Sequence, residues 1–194
     1  MGSLPAESVQ LVLTDPPYAC RYESREGQTV HNDDNTDWLA PAFAEIYRLL
    51  ARDSLCASFY GWHVADEFIT AWRAVGFRIV GHMVFPKPYS SSKRFLAQRH
   101  EQAYLLVKGR PRTPPEPISD VLPWHYTGNK LHPTQKPVEP LQRIIEAFSK
   151  PGELVLDPFC GSGSTLAAAK NAGRDWLGIE IDEDHFVTAV GRLK

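Results

Sequence analysis

Two short stretches of this chain carry residue types at spacings that could do chemistry. The first is Asp15-Pro16-Pro17-Tyr18, which follows directly on the apolar run Val9 to Leu13. Such a run ending abruptly at two prolines reads as a buried strand stopping at the carboxyl edge of a parallel sheet, the edge where ligands bind in open α/β folds. The prolines fix φ and remove two backbone donors, so the Asp15 carboxylate and the Asp15 and Pro16 carbonyls form a rigid, acceptor-only surface beside an aromatic ring. That surface suits an exocyclic amine on a flat base: its two N–H groups meet a carboxylate and a carbonyl while Tyr18 stacks on the ring. For four residues taken alone, a solvent-exposed turn after a strand accounts for them equally well.

The second stretch runs from Glu153-Leu154-Val155-Leu156 through Asp157-Pro158-Phe159-Cys160-Gly161-Ser162-Gly163-Ser164-Thr165 into Leu166 to Lys170, a strand, a glycine turn and a helix. Gly161 and Gly163 let the backbone come close to a ligand, and Asp157 sets a carboxylate at the strand end, where it could bind a cationic amino-acid group. Seventeen residues after Gly163, Glu180 stands near the end of a second strand-like run, with Asp182 just beyond. From there a carboxylate can grip ribose hydroxyls, and the spacing fits one β-α-β nucleoside-binding unit. A nicotinamide site is the competitor, but the turn reads F-x-G-x-G and not G-x-G-x-x-G.

Taken together, these motifs resemble those of the amino-methylating DNA methyltransferases, whose cofactor motif is Asp-Pro-Phe-x-Gly-x-Gly and whose catalytic motif is Asp-Pro-Pro-Tyr. The catalytic motif comes first and the cofactor motif last, similar to the permuted class called beta. His132-Pro133-Thr134-Gln135-Lys136-Pro137 matches that class's other cofactor-side motif. The resemblance spans about residues 4 to 190. It implies a Rossmann-like α/β fold, with a mostly parallel twisted sheet and helices on both faces, and S-adenosylmethionine as cofactor. Asp15, Pro16, Pro17 and Tyr18 would be catalytic; Asp157, Phe159, Gly161, Ser162, Gly163, Thr165, Glu180, Asp182, Lys136 and Thr134 would hold the cofactor. An Asp leading the tetrapeptide implies adenine N6 as the target, because the cytosine-N4 enzymes more often carry Ser there and protein-glutamine methyltransferases usually carry Asn. Cytosine N4, an RNA substrate, and an inactive cofactor-binding subunit needing a partner are the alternatives. Members of the class frequently pair as homodimers. In the family an adenine-contacting acidic motif with its own strand precedes the first loop, so the resemblance also implies a sheet lacking one edge strand.

The elements that must position these residues are legible in the periodicity. With 194 residues and 43% hydrophobic content, a single domain over 1–194 with a sizeable core is expected. Helical spacing over Trp38 to Ala51, Ala65 to Val75 and Pro140 to Phe148 predicts helices, and Ser54 to Tyr60 and Phe77 to Phe85 read as strands. Gly173 is the expected stop of the helix that begins at Ser164, and Glu183 to Leu193 forms a last helix. The polar stretch Ala19 to Asp37 reads as a long mobile loop able to close over a flipped base. Gln102 to Val107 is a strand, antiparallel to its neighbour on the family topology, and Glu101 before it reads as structural.

Three separated cysteines in no C-x-x-C pair suggest neither a disulfide framework nor a metal site, and point to a reducing, cytoplasmic home. No apolar stretch approaches the ~20 residues of a membrane span. Between Pro86 and Arg112 seven basic residues face Glu101 alone, whereas the first 66 residues hold four arginines against ten acids. That asymmetry makes Lys87, Lys93, Arg94, Arg99, Arg110 and Arg112 the expected phosphate-contacting stripe of a duplex-DNA partner from which one base is flipped. The proline-rich segment at about 109–131 stands where a target-recognition insert would, too short for a core of its own and so suited to limited base readout. Trp62 and His63 at a strand end, and Trp124 to Tyr126, could reach the base.

Overall fold

The buried residues of the first apolar run set the architecture. In β1 (Val9–Thr14), Leu11 and Leu13 face one side of the sheet and Val12 the other, all fully buried, as the two-residue period of a strand requires. Each such side chain contributes about 1.5–3 kcal/mol by leaving water. A strand buried on both faces belongs in the middle of a sheet, and there the computed structural model places it. The structure describes residues 1–23, 27, 29–93, 95–128, 131 and 134–194.

β1 pairs in parallel with β2 (Leu50–Phe59) on one side and β7 (Leu154–Asp157) on the other. β3 (Arg78–Pro86), β6 (His100–Lys108) and β8 (Asp175–Gly178) complete a six-stranded sheet in the order β3-β6-β2-β1-β7-β8. β6 is antiparallel to both β2 and β3, and β8 is parallel to β7. A separate ribbon is made by β4 (Ser92–Lys93) and β5 (Ala97–Gln98).

Helices cover both faces. α1 (Leu39–Leu49) and α2 (Ala65–Ala74) pack Phe43, Ile46, Phe68 and Trp72 over Val12 and Leu106. α3 (Val138–Phe148) and α4 (Ser164–Asn171) set Leu141, Ile144, Ile145, Ala168 and Ala169 against Leu11 and Leu13. α5 (Glu183–Leu193) closes the chain. The glycine-turn helix ends at Asn171, two residues before Gly173, whose φ of 71° carries the chain out. β8 stops at Gly178 and so falls short of the expected strand, although Ile179 still donates to the Asp157 carbonyl and accepts from the Cys160 N–H. No strand pairs with the outer edge of β8 among the described residues.

The segment after β6 is a strap. Because β6 runs antiparallel to β2, its C-terminal end lies at the sheet edge opposite Asp15, and Gly109 and Arg110 leave the sheet there. The chain then returns along the free edge of β3: Val84 donates to Asp120 and accepts from Leu122. Leu122 and Trp124 are buried against the core, with Trp124 edge-on to Phe85. The prolines suit this task, since an edge cover needs few backbone donors.

Candidate active site

Parallel pairing of β1 and β7 in the register Leu11↔Val155 and Val12↔Leu156 ends both strands at the same edge, so Asp15 and Asp157 emerge side by side. The Thr14 hydroxyl donates to the Asp157 carboxylate at 2.9 Å, a buried bond between two motifs 143 residues apart. Both motifs line one cleft of about 800 Å³. Thr14 went unread in the sequence because nothing local marks a strand-end threonine as a cross-strand donor.

The Asp15 carboxylate accepts from the Tyr18 phenol at 2.7 Å and is ion-paired to the Lys136 ammonium at 2.5 Å. Burial pushes the Asp15 carboxyl above its usual range, while the charge and hydrogen bond of Lys136 and the hydrogen bond of Tyr18 hold it down. Burial pulls the other way on Lys136, but Asp15 and Glu101 more than offset it and the ammonium titrates above its ordinary value. The Tyr18 phenol is driven well up by burial and by Asp15, so it stays a donor. Lys136, read from sequence as a cofactor contact, thus points at Asp15 and lies over the rings of Tyr18 and Phe59. Of the motif around it, His132 and Pro133 lie outside the described residues; Thr134 lines the cleft.

At the glycine turn, Gly163 has a φ of 76° and its missing Cβ would lie 3.2 Å from the Ala189 Cβ, so both conformation and space require glycine. Asp157 is buried, accepts from Thr14 and the Phe159 N–H, and its carboxyl is pushed up to about 7, chiefly by burial. Glu180 accepts from the N–H groups of Gly161, Ile181 and Asp182, which clamps the turn to the end of β8. Asp182 caps α5 by accepting from the His185 N–H. Ser162 and Thr165 are buried, with the Thr165 side chain bonded to Asp157, and Phe159 packs edge-on to Trp38.

Asp33 is a second organiser that the sequence does not advertise. Its nearly buried carboxylate accepts from the N–H groups of Tyr18, Cys20 and Tyr22 at 2.7, 3.3 and 2.7 Å and from the Cys20 thiol at 3.1 Å. Alternate N–H groups can converge on one anion because Ala19 and Arg21 between them adopt left-handed φ values of 55° and 51°. The stretch expected to be a mobile loop is therefore pinned at its base, and Asp33 fixes the backbone that carries Tyr18. An acid in a polar loop offers no periodicity by which to find it.

The basic stripe is broken up by the fold. Lys87 is buried, ion-paired to Glu101 at 2.5 Å and bonded to Ser91, and it lines the cleft. Burying a lysine without a partner is costly, so Glu101 accounts for its position. Arg99 is exposed just after the ribbon, whereas Arg110 and Arg112 are exposed beyond the far end of β6, away from the cleft. Arg94 lies outside the described residues, as does the side chain of Lys93. Trp62 and His63 do line the cleft, and Tyr126 joins them through an edge-on contact with Tyr89. Trp124 donates to the Tyr89 hydroxyl and belongs to the core. Among the described residues no group of acids, histidines and cysteines could hold a metal, and no helix is long and apolar enough to cross a membrane.

Comparisons with known proteins bear on this arrangement. An N6/N4 methyltransferase family model, described as DNA methylase, matches residues 9–190. The Escherichia coli (strain K12) protein named "Putative methylase YubD" is 48% identical over 193 residues, covering 100% of this chain and 85% of that protein. "DNA adenine methyltransferase YhdJ" from the same strain is 30% identical over 237 residues, covering 100% and 79%. The crystal structure of an M1.HpyAVI-SAM complex superposes with a TM-score of 0.77 at 25% identity, covering 96% of this chain and 89% of that one.

Proposed function

This chain belongs to the N6/N4 family of DNA methylases, and from that membership we propose that it moves a methyl group from S-adenosylmethionine to the exocyclic N6 of adenine in DNA. The observation that carries the reading is Asp15, held between Lys136 and Tyr18, in one cleft with the glycine turn. Adenine is favoured over cytosine by the Asp at the head of the tetrapeptide and by the name of the relative at 30% identity. The reading takes 1–194 as one domain, with the segment at about 109–131 as a short candidate recognition insert.

The cleft residues fit this cofactor. About 800 Å³ accommodates a nucleoside and a base. Gly161 lines the cleft without a side chain, and the reluctant Asp157 carboxyl gains from a cationic partner. Asp157, Phe159, Gly161, Ser162, Gly163 and Thr165 would hold the cofactor. Glu180 and Asp182 would accept from its ribose, since each carboxylate oxygen has lone pairs beyond those its backbone contacts use. When bound, S-adenosylmethionine supplies a methyl carbon already activated by the sulfonium.

The chain's own residues then position the amine. The Asp15 carboxylate and the Pro16 carbonyl accept its two protons, which favours a more tetrahedral nitrogen with its lone pair directed at the methyl carbon. Burial raises the Asp15 carboxyl, and the Lys136 ammonium beside it opposes that rise and favours the ionised acceptor. The amine lone pair would displace the methyl carbon from sulfur, whose bonding pair would leave with the neutral thioether of S-adenosylhomocysteine, and the methylated nitrogen would shed one proton to Asp15 or to water, so Asp15 need not be a strong base. Tyr18, anchored by Asp33, presents its ring to the extruded base.

The test is to incubate the purified chain with S-adenosylmethionine and unmethylated duplex DNA, digest to nucleosides and identify the product by mass spectrometry. N6-methyladenine is expected. N4-methylcytosine would overturn the target base, and cofactor binding with no product on DNA would overturn the reaction. Asp15→Ala should abolish transfer while cofactor binding persists.

A further inference from the structure

An apolar tip stands exposed at the rim of the cleft. Phe95 is 104% exposed and Leu96 81% exposed, at the turn of the β4–β5 ribbon. The ribbon is anchored at its base: Ser91 donates to the Gln98 carbonyl at 3.0 Å and Lys87 to the Arg99 carbonyl at 2.7 Å. Lys87 reinforces this by bonding Ser91 through its ammonium. Ser91 and Gln98 line the cleft, so the tip projects from the edge of the site that receives the target base. Two paired residues on each strand lift it about 7 Å above that edge, at about 3.3 Å per residue.

A phenylalanine and a leucine left side by side in water forgo the gain of burial, so they suit a surface that takes them up. The sequence around the tip is basic, with Lys93, Arg94 and Arg99. A DNA groove is about 7.5–8.5 Å deep, within reach of a ring carried on that ribbon. A duplex that has lost a base to the cleft exposes a flat apolar gap between two neighbouring pairs, the kind of slot that apolar side chains enter.

We propose that Phe95, with Leu96 beside it, is a wedge that enters the base stack where the target base leaves and holds the gap open during transfer. The inference rests on the reading that a base is taken from duplex DNA into the cleft. Its energetic role is confined to paired DNA, because a mismatched or single-stranded target needs little or no unstacking.

The test compares the unmutated full chain with Phe95→Ala and Phe95→Ala/Leu96→Ala under single-turnover conditions. The three substrates are a paired duplex, the same duplex with the target base mismatched, and the single strand. The wedge requires the duplex rate to fall about tenfold or more, equivalent to about 1.4 kcal/mol, while the mismatched and single-stranded rates stay within about twofold. Phe95→Trp should retain the duplex rate. An equal loss on all three substrates, no loss on the duplex, or a changed oligomeric state in the variants would overturn the wedge alone. An unmutated chain inert on every DNA would overturn the underlying reading and the wedge with it.

Discussion

Replacing Lys136 with alanine tests the site most directly, because it leaves the Asp15 carboxylate in place and removes what neutralises it. Lys136 and Asp15 are 2.5 Å apart, with side chains 9% and 22% exposed. Removing one partner of a buried pair costs about 3–5 kcal/mol, and since water reaches part of Asp15 the lower end, about 3 kcal/mol, applies. For a domain of this size that corresponds to a fall in Tm of about 6–12 °C. The sign with pH is also defined. Burial already raises Asp15, and Lys136 holds it down; without Lys136 it rises further. The variant then keeps Asp15 protonated at pH values where the parent ionises it, so the acid limb of its kcat profile moves up toward neutral. Its stability deficit shrinks as pH falls through the raised Asp15 values, first the variant's and then the parent's, because below them Asp15 is protonated in either protein. Asp15→Asn/Lys136→Met removes both charges and should regain most of the lost Tm without regaining activity. Thermal melts and kcat profiles from pH 5 to 9 decide the matter. A Lys136→Ala chain with unchanged Tm and an unmoved acid limb would refute the assignment of Lys136 to Asp15.

Two further variants probe the supports of the site. Asp33→Ala strips the anion from three converging N–H groups and leaves Ala19 and Arg21 in left-handed conformations that cost about 1–2 kcal/mol each; kcat on DNA should fall about tenfold to a hundredfold while calorimetry finds cofactor affinity within about twofold, and an unchanged kcat would show that Tyr18 needs no such anchor. Asp157 has a folded value of about 7 against 3.8 for the free group, so the fold binds the extra proton between those limits and stability declines as pH rises through that window. In Asp157→Asn, denaturant titrations should show a flatter slope between pH 4 and 7, and an identical slope would contradict the raised value.

Much of this was legible in the chain because it depends on local pattern. The apolar runs at Val9 to Leu13 and Leu154 to Leu156 became β1 and β7, and the amphipathic spacing of Leu141, Ile144 and Ile145 became α3, since burial on one face leaves its period in the sequence. The glycine turn was equally plain, Gly163 being required by its backbone conformation. The basic stripe failed for the opposite reason. Lys87, Arg99 and Arg110 are near one another in sequence, but β6 carries Arg110 to the far edge of the sheet while Lys87 turns inward to Glu101. Charge counts along a chain carry no information about which strand reverses direction.

The sequence by itself determined the central strands, the helices, the acceptor-only tetrapeptide and the glycine turn, because each follows from φ restriction, donor loss and periodicity within a few neighbouring residues. Only the tertiary structure decided which distant groups meet. Thr14 reaches Asp157 through the β1–β7 register, Lys136 reaches Asp15 across 121 positions, and Asp33 gathers the N–H groups behind Tyr18. Such pairings depend on the path of the chain through three dimensions, and they set the charge state of the carboxylate on which the proposed chemistry turns.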